Sequence, residues 1–121
     1  MTEIIRKYFQ AWIDADPEGL SDIFCDDIIY SECYGPEYHG LPQIIRWFEE
    51  WNKKGRVLEW TIKRTIEHHQ TIIAEWYFKC IYEGNTDGFD GVTIADFDDT
   101  GKIIFLKEFQ SKAEHCFPYG A

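Results

Sequence analysis

The segment Arg56–His69, RVLEWTIKRTIEHH, decides the fold, because here the apolar period drops from 3.6 residues to 2. The chain then keeps the shorter period. TIIAEWYFKCIYEG (71–84), DGFDGVTIADFDD (87–99) and KIIFLKEFQSKAEH (102–115) each read as a strand. Turns fall at His68-His69-Gln70 and at Asp99-Thr100-Gly101, the latter a tight hairpin. Four successive strands with no helix between them imply an antiparallel meander, since parallel neighbours need a long crossover.

Upstream of Arg56 the period is helical. LPQIIRWFEEWNKK (41–54) places Ile44, Ile45, Trp47, Phe48 and Trp51 on one stripe, with Gly55 as the stop. TEIIRKYFQAWIDA (2–15) does the same with Ile4, Ile5, Tyr8, Phe9, Trp12 and Ile13, and Thr2 is a candidate cap. Asp16-Pro17 opens a short second helix, PEGLSDIF, with Leu20, Ile23 and Phe24 inward. Between these helices lies Asp26–Gly40, DDIIYSECYGPEYHG, read as a strand followed by a loop punctuated by Gly35-Pro36 and Gly40. Its alternation sets Glu32 on the same face as Ile28, Tyr30 and Tyr34. A carboxylate on an apolar face costs several kcal/mol if it is ionised and unpaired. That position needs a reason.

The order helix, helix, strand, helix, then four strands gives an α+β domain spanning residues 1–121. A strongly curved, mainly antiparallel sheet must wrap the three N-terminal helices to bury them, which leaves a cone-shaped barrel with an internal pocket. Aromatic residues make up 17 % of the 121, enough for a large core or for a cavity suited to a flat organic ligand. Twenty-two acidic side chains against 12 basic ones give a net charge of −10, which argues against nucleic acid and anionic membrane as partners. No run approaches the length of a membrane span, and MTEIIRKYF does not read as a signal peptide. The four cysteines are widely spaced with no C-x-x-C pair, as expected of free thiols in the cytoplasm; no metal site is expected. Nor is there a glycine-rich nucleotide motif or a G-x-S-x-G nucleophile, so no cofactor is expected.

Several stretches together carry a family resemblance: IIRKY (4–8), ADPEGL (15–20), IFCDD (23–27), YSECYG (30–35), HGLPQIIRWF (39–48) and TGKIIFLKEF (100–109). With this element order the chain resembles the nuclear transport factor two-like superfamily, also called SnoaL-like or ketosteroid-isomerase-like. The fold hosts isomerases, dehydratases, cyclases, hydrolases and plain binding modules. Ile4–Gly35 can be laid on the bacterial ketosteroid isomerases without a gap. The resemblance then implies that Tyr8 is an oxyanion donor and Glu32 the general base. Thr93 falls where those enzymes carry a protonated aspartate, and a neutral hydroxyl is a weaker donor.

The same overlay implies a substrate-binding wall of Trp12, Tyr30, Trp47, Trp76 and Phe78, with Tyr82, Glu108 and Gln110, and His39, just before Gly40, is a further candidate at the mouth of the cone. Burial would raise the Glu32 pKa towards neutrality, and Glu108 beside it would raise one of the pair further. Such a site suits cofactor-free proton transfer next to the carbonyl of a small hydrophobic substrate, as in an isomerase. Plainer readings stand beside this one. Glu32 could pair with Arg46, Arg64 or Lys107, Tyr8 could be a core tyrosine, and His39 could be a surface loop residue. The alternative function is non-catalytic: a ligand-binding or dimeric interaction domain. Tyr77, Phe105 and Phe109 on the outer sheet face would then form a homodimer contact.

Overall fold

The protein is described by a computed structural model covering residues 1–120. Its elements run α1 (Thr2–Asp14), α2 (Leu20–Ile23), β1 (Phe24–Ser31), β2 (Glu37–His39), α3 (Leu41–Asn52), β3 (Gly55–His68), β4 (Thr71–Tyr82), β5 (Asn85–Phe97) and β6 (Ile103–Ser111). The expected α+β class holds. One curved, open sheet has the order β2-β1-β6-β5-β4-β3. Strands β3 to β6 form the antiparallel meander, β2 joins β1 antiparallel, and only the β1–β6 pair is parallel.

Alternation decides which side chains reach the concave face. On β4 these are Ile72, Ala74, Trp76, Phe78 and Cys80; on β5 they are Phe89, Gly91, Thr93, Ala95 and Phe97. Gly91 faces Trp76 across the ladder, and a Cβ there would collide with the indole ring and the Phe109 carbonyl. The glycine therefore makes room for the tryptophan. Register shifts between Val57 and Glu59 and between Ile62 and Arg64 mark bulges in β3, which bend and twist the strand. On the concave face α1 packs over β3 and α3 over β1. Ile5, Tyr8, Phe9 and Trp12 of α1 are buried there, with Leu41, Ile44 and Phe48 of α3.

Local chemistry corrects several boundaries. Thr2 does not cap α1: Met1 holds the cap position without a side-chain bond, and Thr2 Oγ1 donates instead to Glu67 at 3.2 Å. Asp16 closes a turn by accepting the Glu18 N–H at 3.0 Å, so the second helix shrinks from PEGLSDIF to Leu20–Ile23 and Phe24 begins β1. The stretch after Gly35 is not all loop. Glu37–His39 forms β2, with Tyr30 opposite Tyr38. Strand β6 ends at Ser111, short of the expected His115. The hairpin at Asp98–Gly101 forms as expected; the Asp98 carboxylate accepts from the Thr100 N–H and hydroxyl and from the Lys102 N–H.

Candidate functional site

The concave face is not filled completely. Between α1, α3 and the sheet lies an inner chamber of about 50 Å³. Since one water needs roughly 10–15 Å³ on this measure, the chamber holds about four waters or a ligand of a few heavy atoms. A wider vestibule of about 560 Å³ adjoins it, and the two share Glu32, Tyr34, Trp47 and Trp51. Glu32 stands at the neck.

Of the residues named from sequence, Trp12, Tyr30, Trp47, Trp76 and Phe78 line the chamber, and so do both carboxylates, Glu32 and Glu108. Tyr82 lines the vestibule. Tyr8 and Thr93 are fully buried but lie behind the wall. Thr93 Oγ1 accepts the Trp76 indole N–H at 2.8 Å. His39 is exposed and bonds Glu37 at 2.8 Å, on neither cavity wall. Gln110 is exposed at the far end of β6, also off both walls. The reason is positional: Gln110 still pairs with Gly91, but β1 flanks β6 only as far as Lys107, so the end of the strand lies uncovered.

The deep carboxylate belongs to a chain of hydroxyls. Tyr8 donates to the Tyr30 oxygen at 2.6 Å, and Tyr30 donates to Glu108 Oε2 at 2.7 Å. Burial pushes the Glu108 carboxyl up from 4.5 to about 8, with Glu32 adding to the rise; the Tyr30 bond and a Cys33 backbone bond oppose it. The hydroxyls of Tyr8 and Tyr30 are raised well above 10, first by burial and then by Glu108, so both remain protonated donors. Glu32 lies one residue past the end of β1 and is only half-buried. Burial raises its pKa too, and the Tyr38 hydroxyl, which donates to Oε2, works against the rise. Tyr38 is held there by stacking on Trp47, 4.5 Å between ring centroids.

No ion pair reaches either carboxylate among the described residues. Arg46 and Arg64 bond Glu50 and Glu75 at the surface, and Lys107 lies over the Phe109 ring on the outer face. Cys33 lines the chamber, but burial pushes its thiol up to about 12, so it is no ready nucleophile. Among the described residues no three His, Cys, Asp or Glu side chains are grouped to hold a metal ion.

The sequence reading missed Tyr38, Trp51, Trp60 and Phe89. Trp51 sits one turn beyond Trp47 on α3, and Phe89 shares a β5 face with Thr93, so both signals were present. Trp60 was hidden by the β3 bulge, which breaks the alternation that would have paired it with Leu58.

The sequence model of the SnoaL-like domain family matches residues 5–106. No curated protein matches the sequence significantly. Among solved structures, a protein of ketosteroid-isomerase-like fold from Catenulispora acidiphila, in complex with trimethylamine, is similar with a TM-score of 0.80. It is 18 % identical over 92 % of this chain and 86 % of its own. An epoxide hydrolase of the LEH-like type from M. tuberculosis aligns with a TM-score of 0.80 at 15 % identity, covering 90 % of this chain and 80 % of its own. A candidate polyketide cyclase from Xanthomonas campestris aligns with a TM-score of 0.75 at 16 % identity, covering 91 % and 89 %. At these identities the likeness establishes the fold alone.

Proposed function

The chain belongs to the SnoaL-like domain family, and we propose that its chamber binds a small molecule and moves a proton next to its carbonyl group without a cofactor. One observation carries this reading: two carboxyl groups share one apolar chamber at different depths, and the deeper, Glu108, is raised by burial to about 8. Glu32, shallower and served by Tyr38, gives up its proton first and is the base. Glu108, with its pKa near 8, stays neutral at pH 7 and is the acid. Thr93 and Glu108 are direct partners on the β5–β6 ladder. The acid that resemblance would seek at Thr93 is therefore available one strand over.

In the proposed step Glu32 takes a proton from the carbon next to the carbonyl; the C–H pair becomes the new carbon–carbon double bond as the carbonyl π pair moves onto oxygen. The neutral Glu108 carboxyl donates a hydrogen bond to the resulting enolate. Glu32 then returns the proton to a different carbon, which completes an isomerisation. Tyr30 and, through it, Tyr8 hold Glu108 in place, so Tyr8 acts as a positioning residue. Thr93 has its oxygen engaged by Trp76 and supports the wall. The trimethylamine of the Catenulispora protein, with four heavy atoms, is a ligand on the scale of this chamber.

The test follows small enones and ketones in deuterium oxide, reading double-bond migration by absorbance and exchange of the α-hydrogens by proton NMR. Glu32→Gln is expected to reduce both by at least about a thousandfold, since it removes the base, while circular dichroism stays unchanged. Undiminished exchange in that variant would refute the role of Glu32.

A second reading is favoured by the outer sheet face, where Ile29, Ile73, Ile104 and Phe109 are exposed. In that reading the domain binds without catalysing, and a second copy covers this face. Sedimentation at micromolar concentration decides the dimer: a monomer there removes that part.

A further inference from the structure

The carboxylates of the chamber lack something that buried carboxylates ordinarily have, a positive partner. Nine of the thirteen residues lining the chamber are aromatic, two are glutamates, and none is Lys, Arg or His. Every arginine or lysine paired with an acid among the described residues is spent at the surface. A carboxylate in an apolar, water-poor site is stabilised only by hydrogen bonds and an opposite charge. Here Tyr30 and Tyr38 supply hydrogen bonds and nothing supplies the charge.

From this placement we infer that the ligand is a small organic cation, an alkylated ammonium group seated against the aromatic wall with Glu32 as its counter-charge. The inference rests on reading the chamber as a ligand site, and it names the chemical class the site takes. Three features of different kinds converge on it. Trp12, Trp47 and Trp51 gather at the inner neck, with Trp12 at 5.0 Å from Trp47 and 5.3 Å from Trp51 between ring centroids. These rings pack edge to face on one another, and together they give the neck a wall of aromatic surface, which attracts a cation more than a neutral group. The vestibule carries Glu32, Glu50 and Asp87 against Lys54 alone, and the whole chain is at −10. Even with Glu50 partly shared with Arg46, the approach favours positive charge and repels carboxylates and phosphates.

A competing signal is weaker. Trp12 Nε1 and Trp60 Nε1 are buried donors without an acceptor, which by itself would suit an oxygen-bearing ligand. Both nitrogens are closed off from the open space of the chamber, so neither meets a ligand directly. A ligand bearing a carbonyl beside its ammonium group would meet Glu108 as acid and the aromatic wall at once, joining this inference to the proton-transfer reading.

The experiment compares tetramethylammonium chloride with tert-butanol, a neutral probe of nearly the same shape, on the intact protein. Sodium chloride at equal ionic strength is the control. Binding is read from tryptophan fluorescence and from the indole proton resonances. Tetramethylammonium is expected to bind at least about tenfold more tightly than tert-butanol, and Glu32→Gln to reduce that preference about fivefold or more. Glu32→Ala is a second variant should the first fold poorly. Equal binding of the two probes, no saturable binding of the cation, or a preference unchanged in both variants overturns the inference. Failure here with small ketones still turned over leaves the proton-transfer reading intact. A cation bound with no ketone turned over does the reverse.

Discussion

Two tyrosine–carboxylate pairs face one chamber, and depth separates them more than chemistry does. Tyr30–Glu108 is sealed: Glu108 is 8 % exposed, Tyr30 not at all, and Tyr8 backs them from α1. Tyr38–Glu32 sits at the neck on the short strand β2 and the end of β1, open to the vestibule. Both tyrosines donate to a glutamate. In water two such pairs would titrate alike; here one hydrogen bond fails to offset full burial while the other works against a milder desolvation. Burial thus sets two identical side chains apart, as the proposed acid and base require, and each pair can be broken separately.

The largest effect is expected at the deep pair, in the pH dependence of stability. A carboxyl whose folded pKa lies above its unfolded value binds a proton in the folded state that the unfolded chain has released. Stability then falls as pH rises from about 4.5 to about 8 and levels off above. A rise of this size corresponds to at most about 5 kcal/mol. Glu108→Gln keeps the shape and the acceptor for Tyr30 but removes the proton equilibrium. The variant is expected to be more stable than the natural protein at pH 8, by up to about 4 kcal/mol, with little gain at pH 5. Glu32 leaves a smaller slope of the same sign. The exposed Glu37 and Asp98, held low by hydrogen bonds from Ser31 and Thr100, act in the opposite sense and at lower pH. Urea denaturation at pH 5, 6.5 and 8 checks this; parallel curves for the two proteins would mean that Glu108 is ionised in the fold. Turnover in the same variant is expected to fall about 10²- to 10³-fold, as for loss of an oxyanion donor.

Next in size is the link between the tyrosines. Tyr30→Phe strands the buried Tyr8 hydroxyl, a loss of about 1–3 kcal/mol. It also removes a bond that holds the Glu108 pKa down, so Glu108 should titrate above its natural position. Carbon-13 NMR of the glutamate carboxyls reads the shift directly, and a downward move would show that Tyr30 does not donate to Glu108.

What the sequence could say about this site follows from how local each signal is. The period change at Arg56 is local, and it yielded the meander; the stripe on α1 is local, and it yielded Tyr8 and Trp12. Glu32 was legible because three neighbours on its face are apolar or aromatic. The pairing of Thr93 with Glu108 is not local: it depends on the register shift between Asp96 and Phe97, which no periodicity reveals. The same shift places Leu106 and Glu108 inward while Lys107 and Phe109 face out. Strand β2 was invisible for another reason. Three residues between glycines carry too short an alternation to read, yet they bring Tyr38 to Glu32.

The shallow pair should yield the smallest effect, and that smallness is the test of the contrast. Tyr38→Phe keeps the ring stacked on Trp47 and removes only the hydroxyl. Vestibule water can reach the vacated place on Glu32, so stability should change by no more than about 0.5 kcal/mol. The bond to Tyr38 holds the Glu32 pKa down, so its loss raises that pKa and moves the onset of activity to higher pH. The pH profile of turnover is therefore the sensitive measurement and denaturation the insensitive one. If the variant instead lost as much stability as Tyr30→Phe, the neck would be as dry as the chamber floor. Depth could then no longer support proposing one glutamate as the base and the other as the acid.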